Sequence, residues 1–440
     1  MDYLIHSGPH GAQHVKVEMI VKKNVAVLGL GETGLASALF LKKKGYRVFV
    51  SDRETNETLE KRSSRLKEEN IPFELGGHHL EKIGECHWAV ISPGIHPSSE
   101  VYQTLRKKSF PLVSEVEVAS WFSPGEVTAV TGTSGKSTVT TLLARIYQAN
   151  GLPSLACGNI GNPWIGEIEQ MTSETQVVLE VSSFQLLHTH SLRPRLGILL
   201  NIGRNHLDWH PTLEDYVTAK LRLFQNQAAE DYAFLRQRDQ RKFFPHFSFK
   251  GQVIYWDEKE EKNSNEELLF EVTRIRRLAP EKTRGVLSRF EGLEHRLEKV
   301  AEIDGVHFIN DSKCTTLEAL VWALAKFPDQ RVILLAGGHD KGADFRSVRD
   351  WLSKKVKRAV VFGEAQDLLW RSWMGAAPLV RAEALTEAFR EALKAARSGD
   401  TVLLSPACAS FDQFANYGER GKMFKRLVGE AKKESSLYVP

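Results

Sequence analysis

Val127-Thr-Ala-Val130, followed by Gly132-Thr-Ser-Gly-Lys-Ser-Thr138, is the stretch that decides the fold of this 440-residue chain. The first run is short and apolar, as a buried parallel strand is, and a helix is predicted over residues 139–150. A strand, a glycine-rich turn and a helix in this order bring backbone N–H groups and a helix N-terminus to one point. Such a point binds phosphate oxygens, so the stretch predicts a nucleotide-binding α/β domain.

The glycine-rich turn also carries the side chains that a bound triphosphate requires. The predicted nucleotide site consists of Gly132, Thr133, Ser134, Gly135, Lys136, Ser137 and Thr138. Lys136 would reach the terminal phosphates, and Ser137 or Thr138 would help to ligate Mg²⁺. The spacing departs from GxxxxGK[ST], because Val130 stands where the first glycine belongs. The alternative interpretation is an ordinary Gly-Ser turn.

Outward from this stretch, strands and helices alternate along the whole chain. Apolar runs predict strands at residues 25–30, 47–50, 87–91, 127–130, 176–179, 196–200, 306–309, 331–335, 358–362 and 401–404. Glycines after several of these runs are typical of doubly wound parallel sheets. Because the chain is too long for one core, we predict three domains, at residues 20–122, 123–292 and 293–440.

Composition narrows the functional classes. The net charge of +4 is small and no dense run of Lys or Arg occurs, so a nucleic acid partner is not expected. The four cysteines lie far apart, which disfavours a disulfide framework or a zinc site and favours the cytoplasm. No apolar run approaches the roughly 20 residues of a membrane helix. Residues 1–18 lack the apolar core of a secretory signal.

The first predicted domain contains a second glycine-rich turn, Gly29-Leu-Gly-Glu-Thr-Gly34, between a strand and a helix that is predicted to run from about Leu35 to Lys44. The spacing GxGxxG and an acid, Asp52, about 20 residues later are the outline of a dinucleotide site. Mononucleotide and nucleotide-sugar sites share the same physics. An NAD(P)-dependent oxidoreductase therefore stays open as an alternative.

Single residues after the central strands are further candidates. Glu180 ends a strand beside the phosphate loop and suits a Mg²⁺ ligand, although it could equally be a surface acid. His206 follows another strand and could bind a second metal, although most lone histidines are structural. Lys220 lies on a predicted helix and by itself reads as a surface lysine.

Two polar loops follow strands in the last predicted domain. Asn310-Asp-Ser-Lys-Cys-Thr-Thr316 places acid, base and hydroxyl groups together, as functional loops often do. In Ser405-Pro-Ala-Cys-Ala-Ser410, small residues cross from a strand toward a helix. Ser410 could cap that helix or hold an anion with its N–H and hydroxyl groups.

Taken together, these segments resemble the Mur ligase family, and within it the branch that adds D-glutamate. The matching strings are Gly132-Thr-Ser-Gly-Lys-Ser-Thr138, Gly158-Asn-Ile-Gly161, Glu180-Val-Ser-Ser-Phe-Gln-Leu186, Asn205-His-Leu-Asp208, Tyr216-Val-Thr-Ala-Lys-Leu221, Gly292-Leu-Glu-His-Arg296, Asn310-Asp-Ser-Lys313 and Ser405-Pro-Ala-Cys-Ala-Ser-Phe-Asp-Gln-Phe414. They occur in family order over nearly the whole chain.

The resemblance implies an α/β fold of three domains. These are a Rossmann-like nucleotide-sugar domain, a central P-loop-type ATPase domain and a C-terminal Rossmann-like domain that binds the amino acid. It also implies the reaction: ATP converts UDP-N-acetylmuramoyl-L-alanine into an acyl-phosphate, and D-glutamate then forms the amide. The expected partners are these substrates, ATP and one or two Mg²⁺ ions. We expect a monomer without a nucleic acid or membrane partner.

The resemblance assigns roles by motif position. It implies catalytic roles for Lys136, Lys220, His206 and Lys313. It implies metal ligands at Ser137, Thr138, Glu180, His206 and Lys220, with Lys220 carbamylated. It implies that Arg296 and Asp311 contact ATP in addition to the glycine-rich loop. It implies substrate contacts at Thr33, Asp52, Ser92, Gly94, Asn159, Ser410 and Tyr417.

Some positions depart from the family pattern. Ser134 and Thr316 stand where asparagine is common, and Tyr417 replaces a phenylalanine. Between residues 225 and 289 we identify no counterpart of the family segment whose asparagine contacts adenine. Ligation of another amino acid and a non-catalytic nucleotide-binding protein therefore remain alternatives.

Overall fold

The structure is a computed structural model that describes residues 20–203, 209–256, 264–340 and 342–436. It divides into two compact units, Met1–Phe290 and Glu291–Pro440. The first unit contains two β-sheets and the second unit contains one, so the predicted α/β class is confirmed. The limits of the three predicted domains stay a prediction. Among the described residues, no helix is long and apolar enough to cross a membrane.

The first sheet is parallel and has the strand order β3-β2-β1-β4-β5. Its strands are β1 (Asn24–Leu28), β2 (Arg47–Ser51), β3 (Phe73–Glu74), β4 (Trp88–Ile91) and β5 (Leu112–Val113). The helices of this part are Glu32–Lys43, Glu57–Glu68, Leu80–Gly84, Glu100–Lys107 and Glu115–Phe122. The chain reverses its direction of winding between β1 and β4, and ligands of doubly wound sheets bind beyond the strands at such a point.

The second sheet is parallel too, in the order β11-β10-β9-β6-β8-β7. Its strands are β6 (Glu126–Thr131), β7 (Ser154–Gly158), β8 (Gln176–Glu180), β9 (Leu196–Leu199), β10 (Tyr232–Leu235) and β11 (Gln252–Tyr255). Its helices are Lys136–Ala149, Trp164–Glu167, Ser183–Leu186, Leu213–Leu221, Gln237–Phe243, Ser264–Ile275 and Pro280–Ser288. The central strand β6 ends directly before the phosphate loop.

The sheet of the second unit has the order β12-β13-β17-β14-β15-β16, and only the β12–β13 pair in it is antiparallel. Its strands are β12 (Glu298–Ile303), β13 (Val306–Asn310), β14 (Val332–Gly337), β15 (Val356–Phe362), β16 (Leu379–Ala382) and β17 (Thr401–Leu404). Its helices are Leu317–Leu324, Arg349–Lys355, Gln366–Trp373, Leu385–Ala395 and Tyr417–Ser436. Both polar loops of the sequence analysis leave neighbouring strands, β13 and β17.

Two helices begin three residues earlier than the sequence patterns suggest. The first starts at Glu32 instead of about Leu35, and the second at Lys136 instead of Val139. In both cases the end of the glycine-rich turn is itself the first helical turn. Its N–H groups have no partner within the helix, and they are the groups that bind phosphate.

Candidate active site

A cavity of about 770 Å³ lies at the carboxyl ends of the first sheet. Four residues predicted to bind substrate line it together: Thr33, Asp52, Ser92 and Gly94. The glycine-rich turn contributes Gly29 and Gly31, and the loop after β3 contributes Gly77 and His78. The structure therefore brings the predicted nucleotide-sugar residues to one place, beyond the strands that flank the switch point.

Asp52 holds this cavity in shape through its carboxylate. One oxygen accepts a hydrogen bond from Leu30 N at 2.6 Å, and the other accepts from Glu54 N at 2.9 Å. The acid therefore ties the glycine-rich turn to the end of β2. Backbone donors to a carboxylate are strong hydrogen bonds, so the turn is fixed before a ligand arrives.

The phosphate loop is held from one side by Asn201, which follows β9. The Ser134 N–H donates to Asn201 Oδ1 at 2.9 Å, and Asn201 Nδ2 donates to the Ser134 carbonyl at 3.0 Å. On the other side, the Thr133 hydroxyl and the Tyr216 hydroxyl are 3.0 Å apart. The sequence patterns did not predict that Asn201 and Tyr216 position the phosphate loop.

Two lysines converge on one carbonyl oxygen of this loop. Lys136 Nζ donates to the Gly132 carbonyl at 2.9 Å, and Lys220 Nζ donates to the same oxygen at 3.0 Å. The Lys136 ammonium beside a cradle of backbone N–H groups concentrates positive charge. Such a field favours an anionic ligand such as a polyphosphate.

Lys220 is only 1% exposed, so the interpretation as a surface lysine is wrong. Its ammonium lies 4.6 Å from the centre of the Tyr216 ring, one helical turn earlier. Burial and the charge of Lys136 hold the pKa of Lys220 well below its ordinary value, although Glu180 opposes the shift. A buried lysine of this kind favours its neutral, nucleophilic amine form.

Glu180 is buried at the end of β8, and its two carboxylate oxygens have different surroundings. Oε1 accepts a hydrogen bond from Asn159 Nδ2 at 2.7 Å, while Oε2 has no hydrogen-bond partner among the residues that the structure describes. A buried carboxylate oxygen without a donor is costly, and a hard cation would satisfy it. The observation fits the predicted Mg²⁺ ligand. Asn159, predicted to contact substrate, orients this carboxylate.

The other predicted metal ligands are less defined by geometry. Ser137 is buried in the first turn of the helix Lys136–Ala149, and Thr138 is half-buried next to it. His206 lies outside the described residues, so its role stays a prediction.

In the second unit, Asp311 is buried beside the loop that contains Arg296. Its carboxylate accepts hydrogen bonds from Ser405 Oγ at 2.8 Å and from Leu297 N at 3.2 Å. Burial raises the pKa of Asp311 to about 7, and the nearby charge of Arg296 opposes that shift. Asp311 thus joins the loop after β13 to the loop after β17.

A fully buried arginine, Arg420, organises the same loops. Its guanidinium donates to the carbonyl oxygens of Ser312 at 2.8 Å and Cys408 at 3.1 Å, and to Ser312 Oγ at 3.0 Å. The Ser312 hydroxyl in turn donates to the Tyr417 carbonyl at 2.8 Å. Lys313 Nζ lies 5.1 Å from the centre of the Tyr417 ring. The structure therefore brings together Lys313, which is predicted to be catalytic, and Tyr417, which is predicted to contact substrate; both roles stay predictions.

Comparisons with known proteins match three successive segments of the chain to domains of one family. Residues 23–114 match the Mur ligase MurD-like N-terminal domain, residues 130–280 the Mur ligase middle domain, and residues 295–408 the Mur ligase glutamate ligase domain. A UDP-N-acetylmuramoylalanine–D-glutamate ligase of Chloroherpeton thalassium is 35% identical over 93% of this chain and 99% of that protein. One of Aquifex aeolicus is 36% identical over 91% and 97%, respectively.

The chain belongs to the Mur ligase family.

Solved structures of Mur ligases share the fold at lower sequence identity. UDP-N-acetylmuramate-alanine ligase MurC of Thermotoga maritima is 17% identical, with a TM-score of 0.56 over 93% of this chain and 100% of that chain. MurF ligase of the same organism is 15% identical, with a TM-score of 0.53 over 96% and 100%. At this identity the likeness concerns the fold alone.

The structure changes the interpretation of two positions in this Mur ligase, Asn265 and Ser410. Asn265 is the second residue of the helix Ser264–Ile275, and its Nδ2 is 3.9 Å from where a Cβ on Gly135 would lie. The sequence patterns predicted no asparagine near the nucleotide between residues 225 and 289. Ser410 precedes a turn, where its carbonyl accepts from Phe414 N at 2.8 Å, and the next helix begins only at Tyr417. The capping role of Ser410 is therefore wrong, while its role as an anion ligand stays a prediction.

Proposed function

We propose that this Mur ligase joins D-glutamate to UDP-N-acetylmuramoyl-L-alanine in an ATP-dependent reaction that forms an amide bond. Two relatives that are 35% and 36% identical over more than nine-tenths of the chain carry the name of this activity. The observation that carries the proposal is the pair of lysines on the Gly132 carbonyl, beside the unpaired oxygen of Glu180. That site suits a triphosphate next to a reacting carboxylate.

The proposed reaction has two steps. A carboxylate oxygen of the first substrate attacks the γ-phosphorus of ATP, the bond to ADP breaks, and an acyl-phosphate forms. The amine of D-glutamate then attacks the acyl carbon, inorganic phosphate leaves, and the nitrogen loses a proton. Both steps develop negative charge on oxygen atoms, so positioned cations provide most of the catalysis. Lys136 would supply such a cation at the terminal phosphates.

Mg²⁺ would be held by Glu180 Oε2 and by the hydroxyl of Ser137 or Thr138, with His206 as a further ligand. A bound Mg²⁺ ion would neutralise phosphate charge. Asn159 would keep the Glu180 carboxylate turned toward the ion, because its amide donates to the other carboxylate oxygen.

The neutral amine of Lys220 would add to CO₂ and release a proton, which leaves a carbamate anion. Support comes from the burial of Lys220 and from its position beside Lys136, where an anion is more stable than a second ammonium group. The carbamate would also offer oxygen ligands to a metal ion.

The remaining residues would bind the rest of the reactants. Thr33, Asp52, Ser92 and Gly94 line the cavity that would hold the uridine nucleotide. In the second unit, Lys313, Ser410 and Tyr417 would bind the acyl-phosphate or D-glutamate, and Arg296 and Asp311 would contact ATP. Asn265 would contact the adenine nucleotide, and its closeness to Gly135 of the phosphate loop supports this role. We propose that the enzyme acts as a monomer in the cytoplasm.

Phosphate release from ATP tests the proposal directly. We expect release only when UDP-N-acetylmuramoyl-L-alanine and D-glutamate are present together, with one amide formed per phosphate. Turnover with a different amino acid, but not with D-glutamate, would refute the amino acid assignment. Equal release without either substrate would indicate an uncoupled ATPase and refute the ligase.

A further inference from the structure

His78 lines the nucleotide cavity in the loop after β3, and its ring is fixed by a chain of hydrogen bonds that leads to a buried acid. His78 Nδ1 lies 2.7 Å from Ser51 Oγ, and Ser51 Oγ lies 2.8 Å from Glu74 Oε1. Ser51 is fully buried and Glu74 is 9% exposed. The functional assignment above gives none of these three residues a role.

The direction of each hydrogen bond in this chain follows from the acid. Burial would raise the pKa of Glu74, but hydrogen bonds from His79 N and Ser51, with the charge of His79, hold that pKa below its ordinary value. The carboxylate is therefore an acceptor only, and the single hydroxyl proton of Ser51 points to it. Ser51 Oγ is then the acceptor for His78, so the proton of the imidazole ring is on Nδ1.

The other ring nitrogen, Nε2, must consequently be an acceptor when the ring is neutral. Burial lowers the pKa of His78, while the charges of Asp52 and Glu74 oppose the shift and Arg53 adds to it. His78 lines the cavity, and the hydrogen bond at Nδ1 restrains rotation of its ring, so at neutral pH the acceptor that this ring can offer to a ligand is Nε2.

The place of His78 in the sheet matches the base end of a bound nucleotide. Phosphates bind at the glycine-rich turn, which follows β1, and an acid after β2 lies next to the ribose in folds of this kind. Asp52 is that acid. The base lies farther along the same edge, which is where Gly77 and His78 follow β3.

We infer that His78 Nε2 accepts a hydrogen bond from the N3–H group of the uracil base and makes the cavity selective for uridine over cytidine nucleotides. The inference rests on the proposed function, which names a UDP-linked substrate. Uracil carries a hydrogen at N3, whereas the N3 of cytosine is an acceptor. A cytosine base would therefore set a lone pair against the lone pair of Nε2.

Equilibrium binding of UDP, CDP and 3-methyl-UDP to the full chain tests the inference. We expect the unchanged protein to bind UDP at least about 30-fold more tightly than CDP or 3-methyl-UDP, since a site built for a donor rejects analogues that lack it. His78→Leu should reduce both preferences by about 10-fold. His78→Gln, whose amide oxygen is an acceptor, should keep more of the preference than His78→Leu.

Two further variants separate the chain of hydrogen bonds from the histidine itself. Ser51→Ala leaves the ring in place but removes the partner that fixes its tautomer, so the preference should fall by about 3-fold. His87→Leu is the matched control, because His87 is exposed at the opposite end of β4. This variant should keep the preference of the unchanged protein for UDP over CDP and 3-methyl-UDP.

The outcomes distinguish the inference from the proposed function. If the unchanged protein binds UDP, and His78→Leu binds UDP and CDP in an unchanged ratio, the inference is refuted and the function stands. If the unchanged protein does not bind UDP at all, both are refuted. A shift in the ratio for His87→Leu as large as that for His78→Leu would also overturn the inference.

Discussion

Lys136 shows what a single residue at the phosphate loop contributes. The Lys136 ammonium donates hydrogen bonds to the carbonyl oxygens of Gly132 and Thr133, and water could replace it as the donor. In the proposed reaction the same ammonium would face the negative charge of the terminal phosphates. Lys136→Ala should therefore reduce amide formation by about 10³-fold, as loss of a preorganised cation does, and leave the melting temperature unchanged. Rates and melting curves of this variant and of the exposed control Lys61→Ala provide the test. Normal turnover by Lys136→Ala would refute the role of the loop.

Lys220 should respond differently to substitution, because its proposed role depends on a carbamate. Lys220→Ala removes the anion and leaves a cavity beside the loop. We expect turnover to fall by about 10²-fold or more and to recover in part when acetate or formate is added. Initial rates with and without the added carboxylate measure this, with Lys136→Ala as the variant that should not recover. Full activity of Lys220→Ala without additive would contradict the proposal.

Motif spacing alone predicted roles for Lys136, Glu180 and Asp52, because each lies at the end of a buried strand or in the turn after it. It could not show that Lys220 is buried. A lysine on a polar helix becomes buried only through tertiary packing, which a local pattern does not record. The same reason explains why Asn265 and Arg420 were missed, since the residues that they lie near, Gly135 and Ser312, are 130 and 108 positions away in the sequence.

At the scale of elements, the turn between β1 and the helix Glu32–Lys43 requires a glycine at position 34. A Cβ on Gly34 would lie 1.8 Å from the carbonyl oxygen of Gly29, whereas a Cβ on Gly31 would meet nothing within 4 Å. Gly34→Ala should thus push the helix from the turn, destabilise the fold by about 2–4 kcal/mol and abolish UDP binding. Gly31→Ala should keep the stability of the unchanged protein. Urea unfolding of both variants tests this, and equal stability would contradict the close packing.

Glu115, which begins the helix Glu115–Phe122, should make stability depend on pH. Its Oε1 accepts from Ile165 N at 2.6 Å, and burial raises its pKa from 4.5 to about 7. Between these values the unfolded chain releases the proton while the folded chain keeps it. The contribution of Glu115 to the free energy of unfolding therefore falls as pH rises from 4.5 to about 7 and is constant above that.

Glu115→Gln should remove this dependence, because glutamine keeps the acceptor but does not titrate. The difference between the two proteins should grow by up to about 3 kcal/mol from pH 4.5 to pH 7. Urea unfolding at intervals across this range measures it. Parallel curves for the two proteins would show that the carboxyl group titrates at its ordinary pKa.

Strands were the elements most readily predicted from the sequence, because a strand covered on both faces must be apolar throughout. Val332–Gly337, for example, is buried at every position. Short edge strands such as Phe73–Glu74 and Leu112–Val113 were missed, since two residues make no pattern. Helix starts were displaced by three residues because polar turn residues form the first turn.

At the scale of the whole molecule, the chain is divided into two units, each with its own core. In the second unit, two clusters of buried apolar side chains cover the sheet, one including Leu334, Val361 and Trp373 and the other including Phe308, Phe389 and Phe424. This burial is of the extent that supports independent folding in domains of about 150 residues. The proposed function assigns the phosphate loop to the first unit and the D-glutamate residues to the second.

When the two units are expressed separately, we therefore expect each to remain folded and neither to form the amide bond alone. We expect residues 291–440 to unfold in urea in one cooperative transition, because their polar loops are closed internally by Arg420 and Asp311. Residues 20–290 should bind UDP and ATP but form no amide bond from D-glutamate. Unfolding curves, nucleotide titrations and amide assays, with the full chain as control, test each part. A fragment 291–440 without a cooperative transition would show that its core depends on the rest of the chain. Amide formation by residues 20–290 alone would show that the amino acid site is not in the second unit.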